Sequence, residues 1–147
     1  MRKAKEYLQQ LQRLDTTINQ KIQELSDLRA TAKKIGGMDY SKDRVQTNAC
    51  GDAPFTDTVL RIIDLEHEIN REIDAFVDEK HCIINQIQSL QNSKYIDLLY
   101  QRYVKFKQLE QIAVDMNYTY QYVRELHGRA LQEFESTYTN LQPSVLQ

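Results

Sequence analysis

Glycine and proline are scarce in these 147 residues, with 4 Gly and 2 Pro. That scarcity argues against a turn-rich β fold and for long helices. No apolar run approaches the roughly 18 residues of a bilayer-crossing helix, so no membrane association is expected. The opening Met1-Arg2-Lys3-Ala4-Lys5-Glu6-Tyr7 has no apolar core behind it and is not expected to act as a signal peptide. Cysteine is also sparse. Cys50 and Cys82 form no CxxC pair, and His67, His81 and His127 are scattered. The adjacent His81-Cys82 is a faint hint of metal binding that reads more simply as two helix neighbours, and no metal site is expected. Such cysteine usage fits a reducing cytoplasm. There is no phosphate-cradling glycine loop and no nucleophile-and-base set, so neither an enzyme nor a cofactor is expected.

Charge of one sign is not in excess either, since the net charge is −2. A protein that coats nucleic acid non-specifically is thereby excluded. The distribution is uneven. In residues 1–35, Arg2, Lys3, Lys5, Arg13, Lys21, Arg29, Lys33 and Lys34 outnumber Glu6, Asp15, Glu24 and Asp27, whereas residues 57–92 hold eight carboxylates to three cations. A basic segment and an acidic one can pair with each other.

What is present is a long heptad pattern. Tyr7, Leu11, Leu14, Ile18, Leu25, Leu28, Ala32 and Ile35 recur in steps of four and three, with Lys21 interrupting. A helix over about 3–35 follows, stopped by Gly36-Gly37. Residues 36–56 lose the period and read as a long loop, a length usually functional or mobile. Val59, Ile62, Ile69, Ile73, Phe76, Ile83, Ile87 and Leu90 form a second stripe, which predicts a helix over about 57–91 capped by Thr56 or Asp57. Glu66 and Lys80 stand on its seam. Two one-sided helices are expected to pair as an antiparallel hairpin or coiled coil, within one chain or between two. Residues 1–92 would then form an oligomerisation or partner-binding hairpin, 93–135 a second domain, and 136–147 a tail.

The second domain carries the functional argument. After a short break at Gln91-Asn92-Ser93 comes a helix through Tyr95, Leu98, Leu99, Tyr103 and Val104, then a loop at residues 105–108. Leu109, Ile112 and Met116 form one inward stripe, and Val123, Leu126 and Ala130 another. Ala113 sits where two helices would cross, and Asn117 where a left-handed turn residue is required. Tyr118 covers the turn and Thr119 caps the next helix. The pattern predicts a helix-turn-helix, and the whole chain reads as all-α.

In such a motif the start of the second helix enters the major groove. Gln121 and Arg124 suit adenine and guanine, with Tyr120 beside them, while Glu125 either reads a cytosine or holds Arg124. Thr119 lies at the same end. Arg129, Lys105 and Lys107 are expected on phosphates. Residues 93–135 balance six cations with six carboxylates. A lone neutral module binds DNA weakly, so binding needs two linked modules, a partner protein or basic help from the first helix. The simplest expectation is a homodimer, or a higher homo-oligomer, on linked half-sites.

The run Asp97-Leu98-Leu99-Tyr100-Gln101-Arg102-Tyr103-Val104, with Leu109-Glu110-Gln111-Ile112-Ala113 and Thr119 to Leu131, resembles region 4 of bacterial sigma factors. It is closer still to small phage and prophage sigma-like regulators of Gram-positive hosts, of the RinA and ArpU type. Asp43-Arg44-Val45-Gln46-Thr47 and Ile63-Asp64-Leu65-Glu66 add to that likeness. The resemblance implies double-stranded DNA as partner, contact with host RNA polymerase, a bacterial cytoplasm and late-gene activation. It puts Tyr120, Gln121, Arg124, Glu125 and Arg129 on DNA-facing positions. A small-terminase-like packaging protein and a helical module that engages polymerase without DNA remain the alternatives.

Overall fold

A computed structural model describes residues 2–36 and 52–138, and the described residues are helical, without a strand. The elements are α1 (Arg2–Gly36), α2 (Asp52–Gln88), α3 (Ser93–Leu99), a π-helical turn (Tyr100–Val104), α4 (Leu109–Met116) and α5 (Tyr120–Thr137). None of the described helices is long and apolar enough to cross a membrane. The motif at Asp43 to Thr47, Cys50, most of the expected loop and the end of the expected tail lie outside the described residues.

The long N-terminal helix pair forms within one chain. Its helix bounds differ from expectation in two places. α2 starts at Asp52 rather than near residue 57. Pro54 stands in its first turn, where a missing N–H breaks no helical hydrogen bond, so the proline does not delay the start. α2 also stops at Gln88. Ser89 Oγ donates to the Gln86 carbonyl at 2.7 Å, and the Leu90 N–H turns back to Ile87 O at 3.1 Å.

Contacts group the chain into two compact units, Met1–Asp15 with Phe76–Gln147, and Thr16–Ala75. This division differs from the expected one at residue 92. The reason is visible in the core of the first unit. Ala4, Leu8 and Leu11 of α1 and Ile83 and Ile87 of α2 share one apolar cluster with Leu99, Tyr103, Val104, Ala130, Leu131 and Phe134. Burying each large side chain contributes about 1.5–3 kcal/mol, so these segments are held to the later helices by their own core. Polar contacts fix the pairing of the α1 and α2 segments: Tyr7 Oη donates to Gln86 Oε1 at 2.7 Å, and Gln10 Nε2 to Glu79 Oε1 at 2.5 Å. α5 outlasts its expected end near Phe134. Tyr138 packs at a tilt against Phe134 with ring centroids 5.1 Å apart, and its hydroxyl donates to the Gln86 carbonyl at 3.3 Å. Residues 136–138 therefore belong to the fold rather than to a tail.

In the other unit, Leu25 meets Leu65 and Ile69, with Leu28, Ile62 and Ile73 around them. Lys21, the interruption in the first stripe, donates to Glu68 at 2.8 Å and also to Glu72. These bonds hold the Lys21 ammonium more strongly protonated than usual, and Lys21 in turn lowers the Glu68 carboxyl below its ordinary range. Arg29 pairs with Glu66 at the surface. The ion pairs add little energy where exposed. They do favour the antiparallel register, because a slip would separate Lys21 from both carboxylates.

Candidate functional site

α3, α4 and α5 enclose a small second core of Leu98, Ile112, Ala113, Val123 and Leu126. Each stretch of sequence has a local reason for its shape. Asn92 Oδ1 accepts the Lys94 N–H at 3.0 Å and so starts α3. α3 runs directly into the π turn, where Lys105 N–H reaches back five residues to Tyr100 O at 3.1 Å. Phe106 then adopts φ 58°, an unusual conformation for a bulky residue. Two contacts hold it there: its ring packs on the main core, and the Arg102 guanidinium donates to the Lys107 carbonyl at 3.0 Å. The loop into α4 is thus fixed.

α4 ends as the sequence anticipates. Asn117 is left-handed, with φ 59° and ψ 39°. Its N–H donates to Val114 O at 3.2 Å, and the Tyr118 N–H to Ala113 O at 2.9 Å. This pair of bonds is a Schellman motif, which satisfies carbonyls that the helix end would leave open. Tyr118 packs edge-on against Tyr122 at 4.9 Å, with the Lys94 ammonium 5.6 Å from its ring. Thr119 Oγ1 accepts the Tyr122 N–H at 3.2 Å and caps α5. Ala113, only 4% exposed, leaves no room for a larger side chain beside Val123 and Leu126.

With Val123, Leu126 and Ala130 buried, the opposite side of α5 faces outward. Thr119, Tyr120, Gln121, Arg124, Glu125 and Arg129 are all exposed. Tyr120 is an aromatic ring left 43% exposed, and the Arg124 guanidinium lies 5.7 Å from its centre. Arg124 is therefore steadied by the aromatic face of Tyr120. Lys105 is exposed beside the Tyr100 ring at 5.8 Å. Lys107 is in a different position: half-buried, its ammonium bonds Asp115 at 3.1 Å. Bonds from Gln111 and Lys107 hold the Asp115 carboxyl below its ordinary range. Lys107 would have to leave this partner to meet a phosphate, so it is the weakest of the eight expected contact residues.

Sequence reasoning did not single out the pair behind this face. His127 Nε2 and Tyr103 Oη are 2.7 Å apart, and their rings stack at 5.7 Å. Burial pushes the phenol up to about 12. Burial, with Arg102 and Lys5 nearby, pushes the imidazole down to about 4. At neutral pH the contact thus joins a protonated phenol to an uncharged imidazole. Only the tertiary packing could reveal it, because 24 residues separate the partners.

His127 and Arg124 also line an open cleft of about 510 Å³, together with Arg2 and Lys5 of α1, Arg102 of the π turn, Leu109 of α4, and Gly128 and Leu131 of α5. Among the described residues no cluster of three or more potential metal-ligating side chains occurs. No family model, curated protein or solved structure matches this chain.

Proposed function

We propose that the protein is a sequence-specific DNA-binding transcription regulator. In this reading α4 and α5 act as a helix-turn-helix of the sigma-region-4 kind, and α5 reads the major groove. One observation supports it above the others. The start of α5 presents Tyr120, Gln121, Arg124 and Glu125 outward from a helix whose other side is locked by Val123, Leu126 and Ala130. The turn before it is rigid through Asn117, and its cap is satisfied by Thr119. Such a mount presents a few polar side chains at a fixed pitch, which base readout needs. Gln121 and Arg124 read bases, Tyr120 holds the Arg124 guanidinium, and Arg129 and Lys105 take phosphates. A homodimer on two half-sites supplies the affinity that one module lacks, and the long helix pair is available for self-association or for contact with RNA polymerase. The resemblance to phage sigma-like regulators suggests late-gene activation as the role.

The test is binding to fragments of the DNA around the protein's own gene, wild type beside Arg124→Ala, over a salt series. Tight binding at one site is expected, with a loss of about 1–3 kcal/mol in the variant and relaxed preference at one base pair. Equal loss on every sequence would remove Arg124 as a base reader. Weak, salt-sensitive binding everywhere would refute sequence-specific regulation. A large ring by mass would then indicate packaging, and a polymerase pull-down the protein-binding alternative.

A further inference from the structure

The cleft on the first compact unit gathers positive charge from distant parts of the chain. Arg2 and Lys5 come from the first turns of α1, Arg102 from the π turn and Arg124 from α5. None of the described residues that line it is a carboxylate. Glu6, on the same turn, bonds Arg2 Nε at 3.2 Å at the surface. Arg102 is anchored by the Lys107 carbonyl, so its charge is held in place rather than on a free arm. Concavity and like charge together focus the field on one spot.

Two features show that the fold tolerates a cost here. His127 lines the cleft and stays neutral, because burial and the surrounding cations oppose its protonation. Gly128 also lines it. Three of the four glycines lie within residues 36–51, and Gly128 is the fourth, in the middle of α5. A mid-helix glycine is unfavourable by about 1 kcal/mol relative to alanine. A side chain at residue 128 would project into the cleft, and its absence keeps the space open.

We propose that this cleft binds a phosphate group, and that its occupant is a backbone phosphodiester of the DNA whose bases α5 reads. The proposal rests on the DNA-binding reading and extends it. α1 becomes part of the nucleic-acid interface through Arg2 and Lys5, which offsets the electroneutrality of residues 93–135. The guanidinium groups of Arg2 and Arg102 suit phosphate oxygens through paired N–H donors, Lys5 adds a point charge, and Arg124 at the rim of the cleft keeps its base. The openness of the cleft fits a group carried on a continuous strand. A free phosphorylated molecule offers the same chemistry, and the experiment separates the two sources.

Full-length wild type, the double variant Arg2→Ala/Lys5→Ala and the charge-keeping pair Arg2→Lys/Lys5→Arg are titrated with DNA over a salt series, and separately with inorganic pyrophosphate followed by NMR of the His127 and Gly128 resonances. Arg2 and Lys5 are exposed, so the fold should survive both changes. Losing one phosphate contact should flatten the salt slope by about 1 and weaken binding roughly 5–10-fold at 0.1 M salt, equally on cognate and unrelated DNA. The pyrophosphate shifts should disappear in the double variant, and the charge-keeping pair should restore both. If wild type binds DNA and the double variant matches it in affinity and slope, the cleft is overturned as a phosphodiester site while the DNA-binding reading stands. If wild type binds no DNA but its pyrophosphate shifts depend on Arg2 and Lys5, phosphate recognition is upheld and both the DNA occupant and the DNA reading fall. Absence of both signals in wild type overturns the proposal outright.

Discussion

Lowering the pH should weaken the fold through His127, before the carboxylates have much effect. The unfolded chain takes up the imidazole proton near 6.5, but the folded chain resists it until about 4. Within that window the unfolded state binds more protons, so stability is complete above 6.5 and declines as pH falls towards 4. The fall from 6.5 to about 4 corresponds to about 3 kcal/mol. The ring is only half-buried and solvent screens part of the effect, which leaves about 1–2 kcal/mol. Arg102 and Lys5 repel the imidazolium, and Arg124 and Arg2 line the same cleft. The assay is urea unfolding at pH 7.5 and 4.5 for wild type and His127→Gln, whose amide can still meet the Tyr103 hydroxyl. Wild type should lose about 1–2 kcal/mol more than the variant between the two conditions. Glu68 and Asp115 have lowered carboxyl values and so add acid-side losses, but these are common to both proteins and cancel. An identical pH dependence in the two proteins would refute the buried-imidazole argument.

The turn before α5 supports further expectations. Asn117→Gly should leave stability within a few tenths of a kcal/mol, whereas Asn117→Val should cost about 1–2 kcal/mol, because a β-branched residue resists the left-handed conformation. Equal melting temperatures for the two variants would argue against that turn. Ala113→Leu should cost about 1–3 kcal/mol by overpacking the space beside Val123 and Leu126, and DNA affinity should fall with it. A stable Ala113→Leu protein with unchanged chemical shifts in α5 would show that the helices are not held at that point. Phe134→Ala should cost about 3–5 kcal/mol as a cavity in the main core, measured by thermal unfolding, and a loss below 1 kcal/mol would contradict the burial of that ring.

The sequence alone determined whatever depends on residues close in the chain. Stripes at steps of three and four produced both long helices, because one face must leave water whatever it meets. The Asn117 turn and the Thr119 cap were equally legible, since each is a contact of a residue with its immediate neighbours. Where local rules compete, boundaries slipped. Pro54 resembles a stop, yet a helix accepts it in the first turn, and Ser136 to Tyr138 read as a polar tail until Tyr138 is seen bonded to α2. Tertiary structure alone decided what meets across long separations. It brought Arg2 and Lys5 beside Arg102 and Arg124, placed Tyr103 against His127, removed Lys107 to Asp115 and gave Lys21 two carboxylates on α2. Periodicity tells which side of a helix is buried but carries no information about which partner covers it. That choice belongs to shape and charge complementarity summed over the whole core.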